Sequence, residues 1–299
     1  MVEEKQRQKI MEAIRADREN YESDKRHATV LGITPSVYNT LKKGDTDRKL
    51  SDGNWIRIAR KLGVALRSEM EWKPAMTATF MYVTAALGLA QEGSLSSILC
   101  DIPNIGKTYT ARYYAKTHKH VAYVDCSQVK TKTQMVKAIA REFGVSTDGM
   151  YASVYEDLTY YLRSIERPLV ILDEAGDLKH EAMLELKALW NATERHCAWY
   201  MMGADGLQER IRRSIEMKMV GYTELLSRFG GRYCKATPDG AKEREQYLMK
   251  QARLVADVNV PEGMDAQKVA LASGGSLRRV YTEIEKGVRT AAMQEGGAR

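Results

Sequence analysis

The stretch Ile98-Leu99-Cys100-Asp101-Ile102-Pro103-Asn104-Ile105-Gly106-Lys107-Thr108-Tyr109 decides the reading of this chain of 299 residues. A short apolar run ends in a tight loop, and the loop opens a helix. Phosphate groups are bound by this arrangement, because the loop amides and the positive end of the helix dipole point at one spot. Asn104, Ile105 and Gly106 would supply loop amides, with Tyr109 following in the first helical turn. Gly106 lets the backbone approach closely, Lys107 would reach the β- and γ-phosphates, and the Thr108 hydroxyl would ligate magnesium. Asp101 stands where glycine is usual, and Asn104 occupies another common glycine position. Asparagine tolerates left-handed geometry. The carboxylate of Asp101 repels a triphosphate unless it points away.

Further along, Leu169-Val-Ile-Leu-Asp173-Glu174 is an apolar run ending in two carboxylates. Asp173 is the candidate for holding Mg2+ through water, and Glu174 for polarising the water that attacks ATP. Other short apolar runs lie at Ile98–Cys100, His120–Asp125, Ala198–Met202 and, more weakly, Arg232–Cys234. Alternating with amphipathic stretches, they predict a parallel sheet buried on both faces by helices. Three later features fit an AAA+ P-loop NTPase. Asp205 follows Gly203-Ala204 at the end of a strand, where a polar residue senses the γ-phosphate. Arg278, after Gly274-Gly275-Ser276-Leu277, opens a helix of a C-terminal lid and could reach back to the phosphates. Arg228, in Glu224-Leu-Leu-Ser-Arg228-Phe229, would be presented to a neighbouring subunit's nucleotide, with Arg232, Arg210, Arg212 and Arg213 competing for that role.

The front of the chain is helical in pattern, with segments near 3–19, 25–31, 35–43 and 54–62. In Ala28-Thr-Val-Leu31-Gly32-Ile33-Thr-Pro-Ser36-Val37-Tyr38-Asn39-Thr40-Leu41-Lys42-Lys43, a small residue, a turn glycine and inward-facing Ile33, Val37 or Tyr38, and Leu41 have helix-turn-helix spacing. Ser36, Asn39, Thr40, Lys42 and Lys43 would then meet DNA. Lys130, Thr131 and Lys132 form a second candidate DNA contact, in a loop after a strand. The division expected is 1–66 helix-turn-helix domain, 67–76 linker around Pro74, 77–237 α/β nucleotide domain, and 238–299 helical lid.

Composition agrees. The net charge of +7 leans towards a polyanion, and 44% hydrophobic residues suffice for a globular core. The cysteines, Cys100, Cys126, Cys197 and Cys234, have no metal-ligand spacing and read as buried thiols of a reducing compartment. The charged N-terminus is not a secretory signal, and Ala78–Ala90 has the length of a buried helix, too short for a bilayer. No membrane partner and a cytoplasmic location are expected.

With Asp173-Glu174-Ala-Gly-Asp-Leu178, Gly203-Ala-Asp205 and Leu226-Ser-Arg228-Phe229 in place behind the helical front domain, the chain resembles the transposition AAA+ ATPases. Among them it is most similar to target-DNA activators of the phage Mu B type, with transposon regulator ATPases as relatives that often lack this front domain. The resemblance implies a protein of a phage or transposable element in a bacterial cell. It would bind ATP, assemble with itself as a helical filament or ring-like oligomer on double-stranded DNA with little sequence preference, and recruit a transposase that stimulates hydrolysis. Two other functions share parts of these motifs. A helicase loader or replication initiator would prefer single strands or origins, and a helix-turn-helix transcription regulator would be a sequence-specific dimer. A degenerate loop without hydrolysis has no need of Glu174.

Overall fold

The computed structural model describes residues 2–46, 50–64, 66 and 72–296. Its centre is a five-stranded sheet in the order β2-β3-β4-β1-β5, formed by β1 (Ser97–Cys100), β2 (Val121–Asp125), β3 (Leu169–Asp173), β4 (Ala198–Gly203) and β5 (Tyr233–Cys234). Every pairing is parallel. Parallel neighbours need crossovers, and helices supply them on both faces. This is why β3 and β4 read as continuous apolar runs, with every residue buried.

Side chains alternate across the sheet. Ile98, Val170, Leu172, Trp199 and Met201 face a core shared with α7 (Lys132–Glu142), α8 (Tyr151–Ser164) and α9 (His180–Ala192). Leu99, Leu169, Ile171, Tyr200 and Met202 face α5 (Ala78–Gly93) and α6 (Lys107–Thr117). Helix α5 was expected to be a buried helix and is buried on one face only. Phe80, Val83, Leu87 and Ala90 are inside, while Leu89 is 68% exposed. The helix lies against one face of the sheet beside α6, and its first turn is bonded through Thr79 to Gln251 and Tyr247. No helix among the described residues is long and apolar enough to cross a membrane. Cys100, Cys126 and Cys197 are buried free thiols and Cys234 is half-buried.

The front domain comprises α1 (Glu4–Asp17), α2 (Asp24–Leu31), α3 (Pro35–Lys42) and α4 (Asp52–Lys61) around Ile10, Ala28, Leu31, Tyr38, Leu41, Trp55 and Ile58. The turn between α2 and α3 is as the spacing predicts. Gly32 ends α2 at φ +68, and Thr34 caps α3 with Pro35 in its first turn. Tyr38 and Leu41 are buried, with Ile33 and Val37 packed at the margin.

The C-terminal unit consists of α12 (Ala241–Asn259), α13 (Ala266–Ser273) and α14 (Leu277–Gly296). Part of the expected linker, 67–71, lies outside the described residues; the rest is strapped to this unit. The Trp72 ring is 5.3 Å from that of Tyr281, and Ala75 is buried in the lid core. The Lys73 backbone exchanges hydrogen bonds with the Asn259 amide at 2.8 and 3.1 Å. Pro74 predicts a break in helix, and that break is an extended strap because Trp72 and Ala75 have apolar surface to bury.

Candidate nucleotide site

The carboxyl ends of β1, β3 and β4 form one edge, where ligands of open α/β sheets bind. β1 ends at Cys100, the loop runs from Asp101, and α6 begins at Lys107. Asn104 has φ +64 and Gly106 φ +99, so both glycine-like positions of the loop are left-handed. The Lys107 ammonium donates to the carbonyls of Asp101 at 2.6 Å and Ile102 at 2.7 Å. Burial pushes Lys107 below the ordinary lysine value, while the charges of Asp101, Asp173, Glu174 and Asp205 act in the opposite direction. Asp173 and Glu174 stand at the end of β3, two strands from the loop in the order β3-β4-β1. Asp205 is in the first turn of α10 (Asp205–Glu216), two residues beyond the end of β4.

Asp101 points away from the loop. Its fully buried carboxylate accepts from the amides of Ala236 (2.7 Å), Thr237 (2.8 Å) and Ile102 (2.8 Å), and from the Thr237 hydroxyl (2.5 Å). The residue that departs from the usual loop pattern is therefore a clamp between β1 and the chain leaving β5. Thr237 carries no local signal of this role.

Asp173 is 2% exposed. Its Oδ1 accepts from the Glu174 amide at 3.0 Å and its Oδ2 from the Tyr123 hydroxyl at 2.8 Å. Glu174 sits at φ +50, which turns its side chain out of the strand and into the short 3-10 turn Ala175–Asp177. Desolvation and the adjacent Asp173 charge raise the Glu174 carboxyl above its ordinary value, with Lys107 opposing. Among the described residues, no group of three His, Cys, Asp or Glu could hold a metal alone. Thr108 and Asp173 are hard oxygen donors suited to magnesium, which takes one or two protein ligands and fills its shell with phosphates and water. The donor set fits that ion.

The C-terminal unit meets the loop. Leu277 donates its amide to the Asn104 carbonyl at 3.2 Å, and its Cδ1 lies 3.3 Å from where a Cβ on Gly106 would stand. Arg278, next along α14, is exposed beside this contact. Leu277 was not among the expected site residues, although an apolar residue directly after Gly-Gly-Ser was its signal.

Arg228 ends α11 (Tyr222–Arg228) and is held by α9. It donates to Asn191 Oδ1 at 2.6 Å and lies 5.5 Å from the centre of the Trp190 ring. Of its competitors, Arg210 donates to the Gly176 carbonyl and Arg212 pairs with Glu209 and Glu216. The candidate DNA contacts form two separate groups. Ser36, Asn39, Lys42 and Lys43 are exposed on and just beyond α3, while the Thr40 hydroxyl is turned back to the Ser36 carbonyl. Lys42 is paired with Asp24 at 2.8 Å. In the second group Lys130 is exposed, Lys132 lies 5.6 Å from the Tyr151 ring centre, and the Thr131 hydroxyl caps α7.

Residues 91–211 match the family described as AAA domain. The fold is similar to that of Cdc6p from Pyrobaculum aerophilum, at 16% identity and a TM-score of 0.54, over 77% of this chain and 65% of that one. It is also similar to the ORC2 protein of Aeropyrum pernix, solved as ADPNP–ADP complexes, at 16% identity and a TM-score of 0.56, over 75% and 66%. The chain thus spans just under two thirds of the length of each. No protein of curated function matches it in sequence. The sheet order, the phosphate loop and the family match together give this part of the chain the AAA+ P-loop fold.

Proposed function

We propose that this chain is an ATP-hydrolysing, DNA-binding AAA+ protein that assembles on double-stranded target DNA and delivers it to a transposase. The observation that carries the ATPase part is that the loop ending in Lys107, the pair Asp173-Glu174 and Asp205 follow the carboxyl ends of the neighbouring parallel strands β1, β3 and β4, with Leu277 of α14 bonded to the loop. The loop amides of 104–108 bind the phosphate oxygens, and the Lys107 ammonium exchanges its loop carbonyls for the β- and γ-phosphates. Thr108 and Asp173 would hold magnesium, which when bound neutralises charge on the phosphates. Glu174 accepts the proton of the attacking water, and Asp205 orients that water. Arg278 reaches the phosphates from α14. Arg228 acts on the nucleotide of a second copy, so hydrolysis depends on assembly.

The DNA part follows from the exposed α3 residues and from Lys130 and Lys132, which meet phosphates without reading bases. The transposase rests on the resemblance of the whole architecture. A second reading, replication initiation, is favoured by the likeness to Cdc6p and ORC2.

Negative-stain electron microscopy of the protein with long, arbitrary double-stranded DNA separates the two. The expected result is continuous coating that requires ATP and magnesium, is lost in Lys107→Ala and persists in Glu174→Gln. Isolated particles at a few sites, or coating indifferent to ATP, would overturn the target-activator reading.

A further inference from the structure

Asp173 has a partner that no motif predicts. Strand β2 lies beside β3 with Tyr123 opposite Ile171 and Asp125 opposite Asp173. Ala122 and Val124 point into the core under α7, while Val121 and Tyr123 pack on the face shared with α6. Strand alternation therefore puts Tyr123, Asp125, Ile171 and Asp173 on one side of the sheet. The Tyr123 side chain crosses diagonally from β2 and donates its hydroxyl to Asp173 Oδ2 at 2.8 Å.

A carboxylate has about four lone-pair sites. Here the Glu174 amide takes one on Oδ1 and Tyr123 takes one on Oδ2. The two donors come from different strands, so together they fix the rotation of the carboxylate and leave one site on each oxygen free. The amide is present whatever residue stands at 174, whereas the hydroxyl is specific to tyrosine. Tyr123 is itself held from above. Arg112, on the helix that Lys107 opens, places its guanidinium 5.2 Å from the centre of the Tyr123 ring and 3.7 Å from Asp125 Oδ2. Asp125 in turn accepts from the Ser127 amide at 3.0 Å and hydroxyl at 2.6 Å, in the turn that leads to Lys130.

We propose that Tyr123 is a positioning residue for the magnesium carboxylate Asp173, braced by Arg112 from the phosphate-loop helix. The proposal rests on the ATPase reading of the site. Tyr123 acts through Asp173: it fixes the carboxylate whose remaining lone pairs would accept from water on the ion. Arg112 makes this brace continuous with the turn before the Lys130–Lys132 loop.

The test is the binding of a fluorescent, non-hydrolysable ATP analogue, followed by anisotropy while magnesium chloride is titrated. Tyr123→Phe keeps the ring under Arg112 and removes only the hydroxyl. The magnesium concentration for half-maximal binding is expected to rise about tenfold, the scale of one hydrogen bond to a charged group. Binding in EDTA should match the wild type, while the thermal midpoint in EDTA should fall somewhat, because the buried Asp173 carboxylate loses a donor. Arg112→Gln should shift the magnesium midpoint the same way by less. An unchanged midpoint in Tyr123→Phe, beside a magnesium-dependent wild type, overturns the role of Tyr123 and leaves the ATPase reading standing. An equal loss of affinity with and without magnesium also overturns it, since that is the signature of altered packing. Wild-type binding indifferent to both magnesium and Lys107→Ala would remove the ATPase reading and this proposal together.

Discussion

The α/β domain and the front domain place their charged groups differently. In the α/β domain, Asp101, Asp173 and Lys107 are buried at the carboxyl edge of the sheet, at 0%, 2% and 8% exposure. Burying charge is costly unless every lone pair and proton finds a partner. Asp101 meets that cost with four hydrogen bonds, whereas Lys107 borrows loop carbonyls that a phosphate would replace. In the front domain the buried polar group is His27, bonded to Tyr38 at 2.8 Å and Asp17 at 3.1 Å, and the charges of α3 stay in water. Buried charge thus marks where chemistry is set up, and solvated charge marks where a polyanion could be met.

The two regions are also fastened together. The Arg26 guanidinium lies 3.9 Å from the centre of the Tyr161 ring on α8, Lys61 pairs with Glu142, and the Asn20 amide donates to the Lys116 carbonyl at 3.1 Å. At Gly144, φ is +68 and a Cβ would stand 2.9 Å from the Arg26 carbonyl.

The largest effect that would break this contrast is at Asp101. Asp101→Gly restores the residue usual in phosphate loops, yet strands the amides of Ala236 and Thr237. We expect a loss of about 2–4 kcal/mol in urea unfolding, from buried donors left unpaired, and no gain in ATP affinity. A tighter-binding, equally stable variant would mean that Asp101 is not the clamp. A middle-sized effect is expected at the seam: Gly144→Ala should cost about 1–3 kcal/mol, from left-handed strain and the clash with Arg26. Differential scanning calorimetry should show the front domain melting earlier; a single unshifted transition would mean that the seam carries no stability.

The smallest effect is at Asp24, whose carboxyl is held below its ordinary value chiefly by the hydrogen bond from Lys42 and then by Arg18. A depressed carboxyl stabilises the fold above its unfolded pKa, and this contribution fades as pH falls through the lower folded value. Asp24→Asn should therefore flatten the acid side of the stability profile slightly and, by freeing Lys42, raise affinity for DNA at low salt. Unchanged DNA affinity would place Lys42 outside the contact surface.

Much of the α/β domain was legible in its order of residues. The run 169–172 is apolar throughout because both faces of a parallel strand are covered, and Asp173-Glu174 closes it where the chain must leave the sheet. Gly32 and Thr34 mark the turn of the front domain for equally local reasons. What was not legible depends on distant pairings. Thr237 holds Asp101 from 136 positions away, Leu277 settles on Asn104, and Tyr123 reaches Asp173 across a strand pair. No periodicity encodes such partners. The apolar pattern of α5 likewise does not say that Leu89 stays exposed, and Pro74 does not say that the chain beside it is strapped to the C-terminal unit.

The most direct test is steady-state phosphate release from ATP and magnesium, measured with increasing double-stranded DNA for the wild type, Lys107→Ala and Glu174→Gln. The account predicts turnover that rises with DNA in the wild type and falls at least about a hundredfold in both variants, the scale of losing a general base or a phosphate-binding cation. Wild-type turnover no greater than that of the variants, at every DNA concentration, would contradict it.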